Sequence, residues 1–368
     1  MSLARLLVFA LLLPRAAGLS ASTMAAVQAT VKPWALESEE LATLCCTAAD
    51  ARAGDCDGGL LWLEHINIVV GDRATAERFY FEDGLGCMRD PRKPGGASSP
   101  AGTMWANLGS QQFHLAEQGP GDPAQAVRGS VGLALPDARG AAKRLSKLSL
   151  DGVRLEVHSP DAFTVRCPWG NVFHCYDVDV YRGGVSAPGP FAGRETKMRA
   201  VHAGEAWDVG GRFTVRGGPG IRYVHFKCTD APKVAERYSG LFGGGPARAL
   251  GGTLAGAEAR CVAAGVGPVH FVFETGASDA AAEARQSGVH VCIYVDAFAQ
   301  RYAALKEFVF TNPRFVKLDT CDTLQEALDS RTFRFCFPEA PTLEHETRSL
   351  SHMNYMQPIT YKRAEQMP

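Results

Sequence analysis

Polar and apolar residues alternate in LEHINIVV, the first strongly patterned segment of the chain. Ile66, Ile68 and Val70 fall on one face of an extended strand, and His65 and Asn67 fall on the other. The apolar face predicts a strand packed against a hydrophobic core. The polar face brings an imidazole and an amide together, where they either hold a ligand or solvate the strand.

The same order of elements recurs later in the chain. LEHINIVVGDRATAERFYFEDGLGC and IRYVHFKCTDAPKVAERYSGLFGG both read as a strand, an aspartate turn, a helix with A-E-R-F or A-E-R-Y, and a glycine-rich break. One inserted residue near Pro232 keeps Asp72 aligned with Asp230. A repeat of this length predicts two duplicated domains.

Each block also contains a second cycle of strand and helix. In the first block, GSVGLALPDARGAAKRLSKL predicts a strand, a turn and a helix, and strands follow at LEVHS, FTVRC and VFHCYDV. In the second block the matching segments are HFVFETG, VHVCIYVDAFAQRYAAL, FVKLD and FRFCF. Each half of a block therefore reads as a βαβββ-type module, and the predicted fold class is α+β.

The unpatterned ends of the chain and the stretch between the blocks set the domain boundaries. A short apolar run after Arg5 is typical of a signal peptide, and the next segment lacks acidic residues until Glu37, as transit peptides do. This leader predicts a plastid location through a bipartite signal, or secretion. The predicted segments are a signal peptide at 1–18, a transit-like or disordered leader at 19–58, a first domain at 59–181, a linker at 182–219, a more divergent second domain at 220–338 and a C-terminal extension at 339–368.

Composition narrows the classes of partner. The 368 residues are 46% hydrophobic and 21% charged, which is the balance of a globular protein. The formal net charge is -1 and no basic stripe is present, so we expect neither a nucleic acid nor a membrane as partner. The 11 cysteines include no C-x-x-C pair, which fits a reducing compartment better than a disulfide-stapled scaffold.

Four short motifs carry a resemblance to a known family. They are H-x-N-x-V-V-x-D at 65–72, A-x-x-F-Y at 76–80, G-L-G at 84–86, and C-P-W-G-N at 167–171, where Cys167 replaces the family's aspartate. Together with the repeated modules they resemble the vicinal oxygen chelate superfamily, which includes glyoxalase I, bleomycin-resistance proteins, extradiol dioxygenases and methylmalonyl-CoA epimerase. The resemblance is good over about 60–180 and weaker over about 220–338. It implies two tandem glyoxalase-like domains, each a cup-shaped mixed sheet built from two modules.

The resemblance also implies four ligand positions in each domain, on the first and last strands of its two modules. In the first domain these positions hold His65, His114, Ser130 and His174. The three histidines predict a site for a divalent metal such as zinc, iron, nickel or manganese. Ser130 and Asn67 are then expected to contact substrate. The set matches neither the glyoxalase pattern (His or Gln, Glu, His, Glu) nor the dioxygenase pattern, which has His, His and Glu at the first, third and fourth positions. Glu64 alternates away from the expected metal face and is not predicted to act as a base.

The second domain offers a different set of side chains at these positions. They are Tyr223, His270, His290 and Arg334, with His225 and Glu274 two and four residues along from the first two. Arg334 suits the carboxylate or phosphate of an organic ligand rather than a metal. The alternatives are that Arg334 pairs with Glu274 while the histidines bond across the cup, or that His270, His290 and Glu274 form a triad.

Two classes of function follow from these predictions. The first is a metal-dependent lyase, isomerase or dioxygenase that acts on a small oxygenated metabolite. The alternative is a metal-free small-molecule binding protein of the bleomycin-resistance type, or a pseudo-enzyme. In every case the expected partner is a small-molecule ligand or substrate. Pairing of two domains within one chain would replace a homodimer, so the chain is expected to act as a monomer.

Overall fold

Two mixed β-sheets hold the polar strand faces that the sequence singles out. The computed structural model describes residues 60–89, 102–108, 111–119, 123–177, 220–242, 248–249, 259–263, 270–295, 297–316 and 319–349. All of them belong to one unit that spans residues 33–368. The predicted leader at 1–58 and the predicted linker at 182–219 lie outside the described residues, so both stay predictions.

The first half of the chain forms two modules. Module one contains β1 (Leu60–Val70), α1 (Arg73–Tyr80), β2 (Met88–Arg89), β3 (Met104–Leu108) and β4 (Gln111–Glu117). Module two contains β5 (Gly129–Leu135), α2 (Ala138–Leu145), β6 (Arg154–Ser159), β7 (Ala162–Arg166) and β8 (Val172–Asp177).

The second half repeats the pattern with a change in its last module. Module three contains β9 (Gly220–Cys228), α3 (Ala231–Phe242), β10 (Arg248–Ala249), β11 (Ala259–Ala263) and β12 (His270–Thr275). Helix α4 (Ala280–Gln286) connects it to module four. Module four contains β13 (His290–Val295), α5 (Phe298–Leu305), a 3₁₀ turn (Lys306–Phe308), α6 (Leu324–Ser330), β14 (Thr332–Phe337) and β15 (Ala340–Ser349).

The repeated aspartate turns are helix caps. The carboxylate of Asp72 accepts a hydrogen bond from the Thr75 amide at 2.8 Å before α1. Asp137 accepts from the Gly140 amide before α2, and Asp230 makes the same kind of contact before α3. Each cap satisfies an amide that the first helical turn leaves without a partner. The repeat in the sequence therefore reflects a repeated entry into the module helix.

The sheets pair modules across the two predicted domains. The first sheet has the order β14-β15-β13-β1-β4-β3-β2 and joins modules one and four. The second sheet has the order β10-β11-β12-β9-β5-β8-β7-β6 and joins modules two and three. The antiparallel pairs β1–β13 and β5–β9 make these joins. The α+β class and the paired βαβββ modules are confirmed. The sheets do not coincide with residues 59–181 and 220–338, because strand edges that lie far apart in the chain pair with each other.

Two boundaries at the end of the chain differ from the predicted ones. Strand β15 extends past residue 338, where the second domain was predicted to end, and lies between β13 and β14 inside the first sheet. The predicted strand FVKLD is absent at Phe315 and Val316, which lie in a turn. Among the described residues of module four, an isolated antiparallel bridge joins Val309 to Phe335.

The apolar strand faces form the core as predicted. Ile66, Ile68 and Val70 in β1 are fully buried, and Phe79 and Tyr80 of α1 join the same hydrophobic cluster. Because side chains alternate along a strand, this packing turns the opposite face of β1 toward the polar residues described below. Among the described residues no helix combines the length and the hydrophobicity needed to span a bilayer.

Candidate functional site

Two imidazoles and one carboxylate converge in the middle of the first sheet. His65 comes from β1, His290 from the neighbouring β13, and Glu346 from β15 on the far side of β13. One ligand atom from each lies within 4.8 Å of the others, and all three residues are buried. Glu346 Oε2 is 3.2 Å from His290 Nε2 and 3.9 Å from His65 Nε2. We call this set the first cluster.

A β-bulge brings Glu64 to the same side of the sheet as His65. The register of β1 against β13 shifts between Leu63 and His65, so two successive side chains reach the residues of one β13 face. Glu64 Oε2 lies 3.3 Å from His65 Nδ1 and accepts a hydrogen bond from the thiol of Cys292. The expectation that Glu64 points away from the site is therefore wrong, because strict alternation fails at the bulge.

Glu64 leaves the other nitrogen of His65 available. An Nδ1–H group that donates to Glu64 places the lone pair of His65 on Nε2, which faces Glu346. That Nε2 atom is buried and makes no hydrogen bond with any described residue. Burial lowers the pKa of His65 to about 4, so the ring is neutral at pH 7. A neutral imidazole with an unused buried nitrogen fits the requirement of a metal ligand.

Two guanidinium groups fix the carboxylate of the first cluster. Arg348 contacts Glu346 at 2.5 Å and also contacts Glu64 at 2.5 Å. Arg334 contacts Glu346 at 2.9 Å and is itself buried. Although burial raises the pKa of Glu346, these two guanidinium groups hold it well below its usual range. The carboxylate is therefore ionised at pH 7 and held in one place.

The ion pairs around the first cluster contain more acids than bases. Arg334 also contacts Glu344 at 2.5 Å and Asp319 at 3.0 Å. With Glu64 and Glu346, the described residues contribute four carboxyl groups and two guanidinium groups, a formal excess of two negative charges when every carboxyl is ionised. Burial raises the pKa of Asp319, Arg334 opposes this shift, and the nearby Glu346 adds to it. A divalent cation would balance this excess.

His114 supports His65 rather than joining the converging atoms. Its ring stacks on His65 with centroids 3.6 Å apart, and Trp105 stacks on its other face with centroids 4.6 Å apart. His114 Nε2 lies 2.9 Å from Gln112 Oε1. This three-ring stack fixes the plane of the His65 ring. Asn67, the other predicted polar residue of β1, is paired through its backbone with His290 on one side and His114 on the other.

The structure divides the predicted set of three histidines between the two sheets. His174 lies on β8 of the second sheet, where its Nδ1 is 3.0 Å from Thr164 Oγ1. The division follows from the pairing of modules one and four, which takes β8 away from β1. The site predicted from His65, His114 and His174 therefore does not form.

Residues predicted for the second domain are divided in the same way. His290 and Arg334 belong to the first sheet, and Ser130, Tyr223 and His225 belong to the second. His270 begins β12, and its backbone pairs with Tyr223.

The contacts of Glu274 contradict both predicted alternatives for the second domain, the Arg334–Glu274 pair and the triad. It contacts His225 at 2.9 Å and Lys227 at 3.1 Å in the second sheet, while Arg334 contacts other carboxylates in the first sheet. The predicted Arg334–Glu274 pair is therefore wrong. The triad of His270, His290 and Glu274 is wrong too, because its members lie on different sheets.

Solved structures resemble this chain over most of its length. A point mutant of glyoxalase I from Zea mays is 11% identical, with 84% of this chain and 99% of that chain covered and a TM-score of 0.49. Glyoxalase I from Zea mays is 12% identical, with coverage of 80% and 94% and a TM-score of 0.46. A variant of homoprotocatechuate 2,3-dioxygenase from B. fuscum is 14% identical, with coverage of 79% and 72% and a TM-score of 0.27. No family model and no curated protein matches the amino-acid sequence at a significant level.

The pairing of modules in two mixed sheets is the arrangement that the sequence resemblance to the vicinal oxygen chelate superfamily implies. Modules one to three each have the βαβββ order, and module four has three strands among the described residues. The dioxygenase pattern of His, His and Glu, which the first predicted domain lacks, is present in the first cluster. It is assembled from modules one and four rather than from modules one and two.

Sequence reasoning missed Glu64 and Glu346. Glu346 lies in the segment that was predicted to be an extension, where Glu344, Glu346 and Arg348 alternate with Leu343 and His345. That alternation predicts a strand. Its acids and its arginine lie on one face, and a polar face of this kind usually points to solvent. Only the position of β15 inside the sheet shows that this face is buried.

Proposed function

We propose that the chain is a metal-dependent enzyme of the vicinal oxygen chelate type, with His65, His290 and Glu346 as the metal ligands. The observation that carries the proposal is the convergence of two imidazole Nε2 atoms and one carboxylate oxygen within 4.8 Å. Two histidines and one carboxylate with further positions free are typical of non-haem iron(II) oxygenases. An oxygenase that acts on a small oxygenated metabolite is therefore favoured over a lyase or an isomerase.

The residues around the ligands have supporting roles. Glu64 holds a proton on Nδ1 of His65 and so keeps Nε2 as the binding atom. Arg348 and Arg334 keep Glu346 ionised and oriented. A bound divalent iron would supply oxygen activation and would chelate neighbouring oxygens of the substrate. Burial of all three ligands keeps bulk water away from the reacting groups.

The test is anaerobic loading of the full chain with iron(II), followed by elemental analysis and oxygen-uptake measurements. The native chain is expected to bind about one metal ion, because one ligand triad holds one ion. His290→Ala and Glu346→Gln should lose metal affinity by more than the roughly 10–100-fold that a change in a supporting residue costs. Glu64→Gln should fall within that roughly 10–100-fold range. Oxygen uptake is then followed with catechols, 2-oxo acids and dicarbonyl compounds.

The matched control is His174→Ala, which removes a buried imidazole from the other sheet. It should leave metal content unchanged. A native chain that binds none of iron, zinc, nickel or manganese would contradict the proposal. So would a loss of metal that is equal in His174→Ala and His290→Ala.

A metal-free binding protein is the second candidate, and one observation favours it. Glu346 already has both carboxylate oxygens engaged by Arg334 and Arg348. In that case the first cluster is a permanent ion-pair network, and the small-molecule ligand binds beside it without a metal. A stable native chain with no metal uptake and with thermal stabilisation by an oxygenated aromatic compound would support this candidate.

A further inference from the structure

The second sheet contains a row of three polar groups that the proposed metal site does not use. Ser130 Oγ lies 3.1 Å from His225 Nδ1, and His225 Nε2 lies 2.9 Å from Glu274 Oε2. All three residues are buried, each with 6% of its surface exposed. A hydroxyl, an imidazole and a carboxylate in this order are the parts of an activated nucleophile. We call this set the second cluster.

The strands hold the second cluster at one end of the sheet. Ser130 is the second residue of β5 and pairs through its backbone with His225 on β9. Glu274 lies next to the last residue of β12 and pairs with Lys227 of β9. Lys227 contacts Glu274 at 3.1 Å while 43% of its side chain is exposed. The Glu274 end of the row therefore reaches solvent through Lys227.

The charges in the row determine how the imidazole is protonated. The Glu274 carboxylate favours the proton of the neutral ring on Nε2, which leaves the lone pair of Nδ1 facing the Ser130 hydroxyl. Burial lowers the pKa of His225, against the effect of Glu274, so the ring is neutral at pH 7 and keeps a lone pair. Although burial raises the pKa of Glu274, His225 and Lys227 hold it below its usual value. Glu274 is therefore ionised when the ring is neutral.

We propose that Ser130 is a second reactive centre, a nucleophile that accepts acyl groups from small activated esters, with His225 as its general base and Glu274 as the residue that positions His225. In the step, a bond forms between Ser130 Oγ and the acyl carbon, and the bond to the leaving oxygen breaks. The hydroxyl proton passes to His225 Nδ1 and then to the leaving group. Water then attacks the acyl carbon, its proton passes through His225 Nδ1 to Ser130 Oγ, and the bond from Oγ to the acyl carbon breaks to release the carboxylic acid. Water is the only further reactant, and no oxidant is needed.

The size of the acyl group is limited by Tyr223. A Cβ atom added to Gly132 would lie 2.1 Å from the Tyr223 ring, so that ring lies directly over the glycine backbone. Gly132 and Tyr223 are backbone partners one alternation away from Ser130 and His225 on the same face. Tyr223 therefore lies on the same strand face as Ser130, and we expect its ring to favour acetyl-sized groups.

The test is covalent labelling of the full chain with 4-nitrophenyl acetate and with a small alkyl fluorophosphonate, followed by peptide mapping. The native chain should gain one adduct on Ser130, released slowly from the acetylated form by water. Ser130→Ala should abolish it, and His225→Gln should slow labelling at least about tenfold, in keeping with the usual contribution of a general base. Mapping on the native chain keeps the test decisive even if a variant fails to fold.

Three further variants distinguish a reactive row from a merely structural one. Ser146→Ala is the matched control. Ser146 is exposed, and its hydroxyl donates a hydrogen bond to the Lys143 carbonyl. Labelling should be unchanged there. Glu274→Gln should shift the pH profile of Ser130 labelling, and Glu274→Asp should restore it. An unlabelled Ser130, or labelling that spreads over exposed serines and ignores His225→Gln, overturns the proposal. Neither result depends on whether the first cluster binds a metal.

Discussion

The two sheets have corresponding strands but different chemistry on them. β1, β13 and β15 of the first sheet correspond in order to β5, β9 and β12 of the second. The first cluster has His65, His290 and Glu346 on these strands. The second cluster has Ser130, His225 and Glu274. The two clusters differ in one group, since the first has an imidazole where the second has a hydroxyl. The first cluster is a set of three converging ligands, and the second is a row that can pass a proton.

The surrounding charges differ as much as the clusters do. Around the first cluster, two guanidinium groups and four carboxyl groups form a buried ion-pair network. Around the second cluster, the cation that contacts Glu274 is Lys227, which reaches solvent. Repeated modules therefore fix where polar side chains gather, while charge decides whether a site suits a cation or a neutral base. Function cannot be copied from one sheet to the other.

The largest expected difference between the sheets is the cost of removing an arginine. Arg334→Met in the first sheet removes the partner of Glu344, Glu346 and Asp319 and leaves buried carboxylates uncompensated. Loss of one partner from a buried pair costs about 3–5 kcal/mol of unfolding free energy. Arg154→Met in the second sheet removes an exposed arginine and should change stability by about 0.5 kcal/mol or less. Urea denaturation measures both, and equal effects would contradict the account of the first sheet.

The next largest effect concerns the pH dependence of stability in the second sheet. Burial, and then the nearby His225, lower the pKa of His174 to about 3. The unfolded chain therefore binds more protons at this residue than the folded chain between about pH 6.5 and pH 3, so stability falls as the pH is lowered through that window. One proton contributes up to about 1.4 kcal/mol per pH unit.

His174→Asn should remove this contribution and reduce the slope of unfolding free energy below about pH 6.5 by the share of one proton, while other buried histidines such as His65 keep theirs. Denaturation curves recorded from about pH 8 downward, in roughly unit steps chosen to bracket the imidazole range, measure the slope. Above about pH 6.5 native and variant slopes should agree, which serves as the internal control. A variant with the native slope at low pH would show that His174 is charged in the folded chain.

Local signals in the sequence predict the modules well. Alternation in β1 and the capping aspartates at 72, 137 and 230 are short-range patterns, and the structure confirms the strands and helices that they indicate. The pairing of modules is not local. His65 and His290 both stand out in the sequence, but only the β1–β13 pairing, between segments more than two hundred residues apart, brings them together.

The sequence did not predict the two carboxylates of the site, for different physical reasons. Glu64 lies at a bulge, and a bulge leaves no mark on the pattern of polar and apolar residues. Glu346 lies on a strand whose inner face is charged, so hydrophobicity does not mark it as buried. Arg348 contacts Glu346 within β15 and Glu64 of β1 across the sheet, and no single segment of sequence contains the second contact.

The smallest expected effect tests the ring stack that supports His65. Trp105, His114 and His65 stack in series in the first sheet, with centroid distances of 4.6 and 3.6 Å. In the second sheet, His174 and Tyr223 lie farther apart, at 6.3 Å with a tilt of 31°. A double-mutant cycle with Trp105→Leu and His114→Leu should give a coupling of about 0.5–1.5 kcal/mol, the range of a well-stacked pair. The cycle with His174→Leu and Tyr223→Leu should give less. Equal couplings would show that stacking does not distinguish the first sheet, and the orientation of His65 would then depend on Glu64 alone.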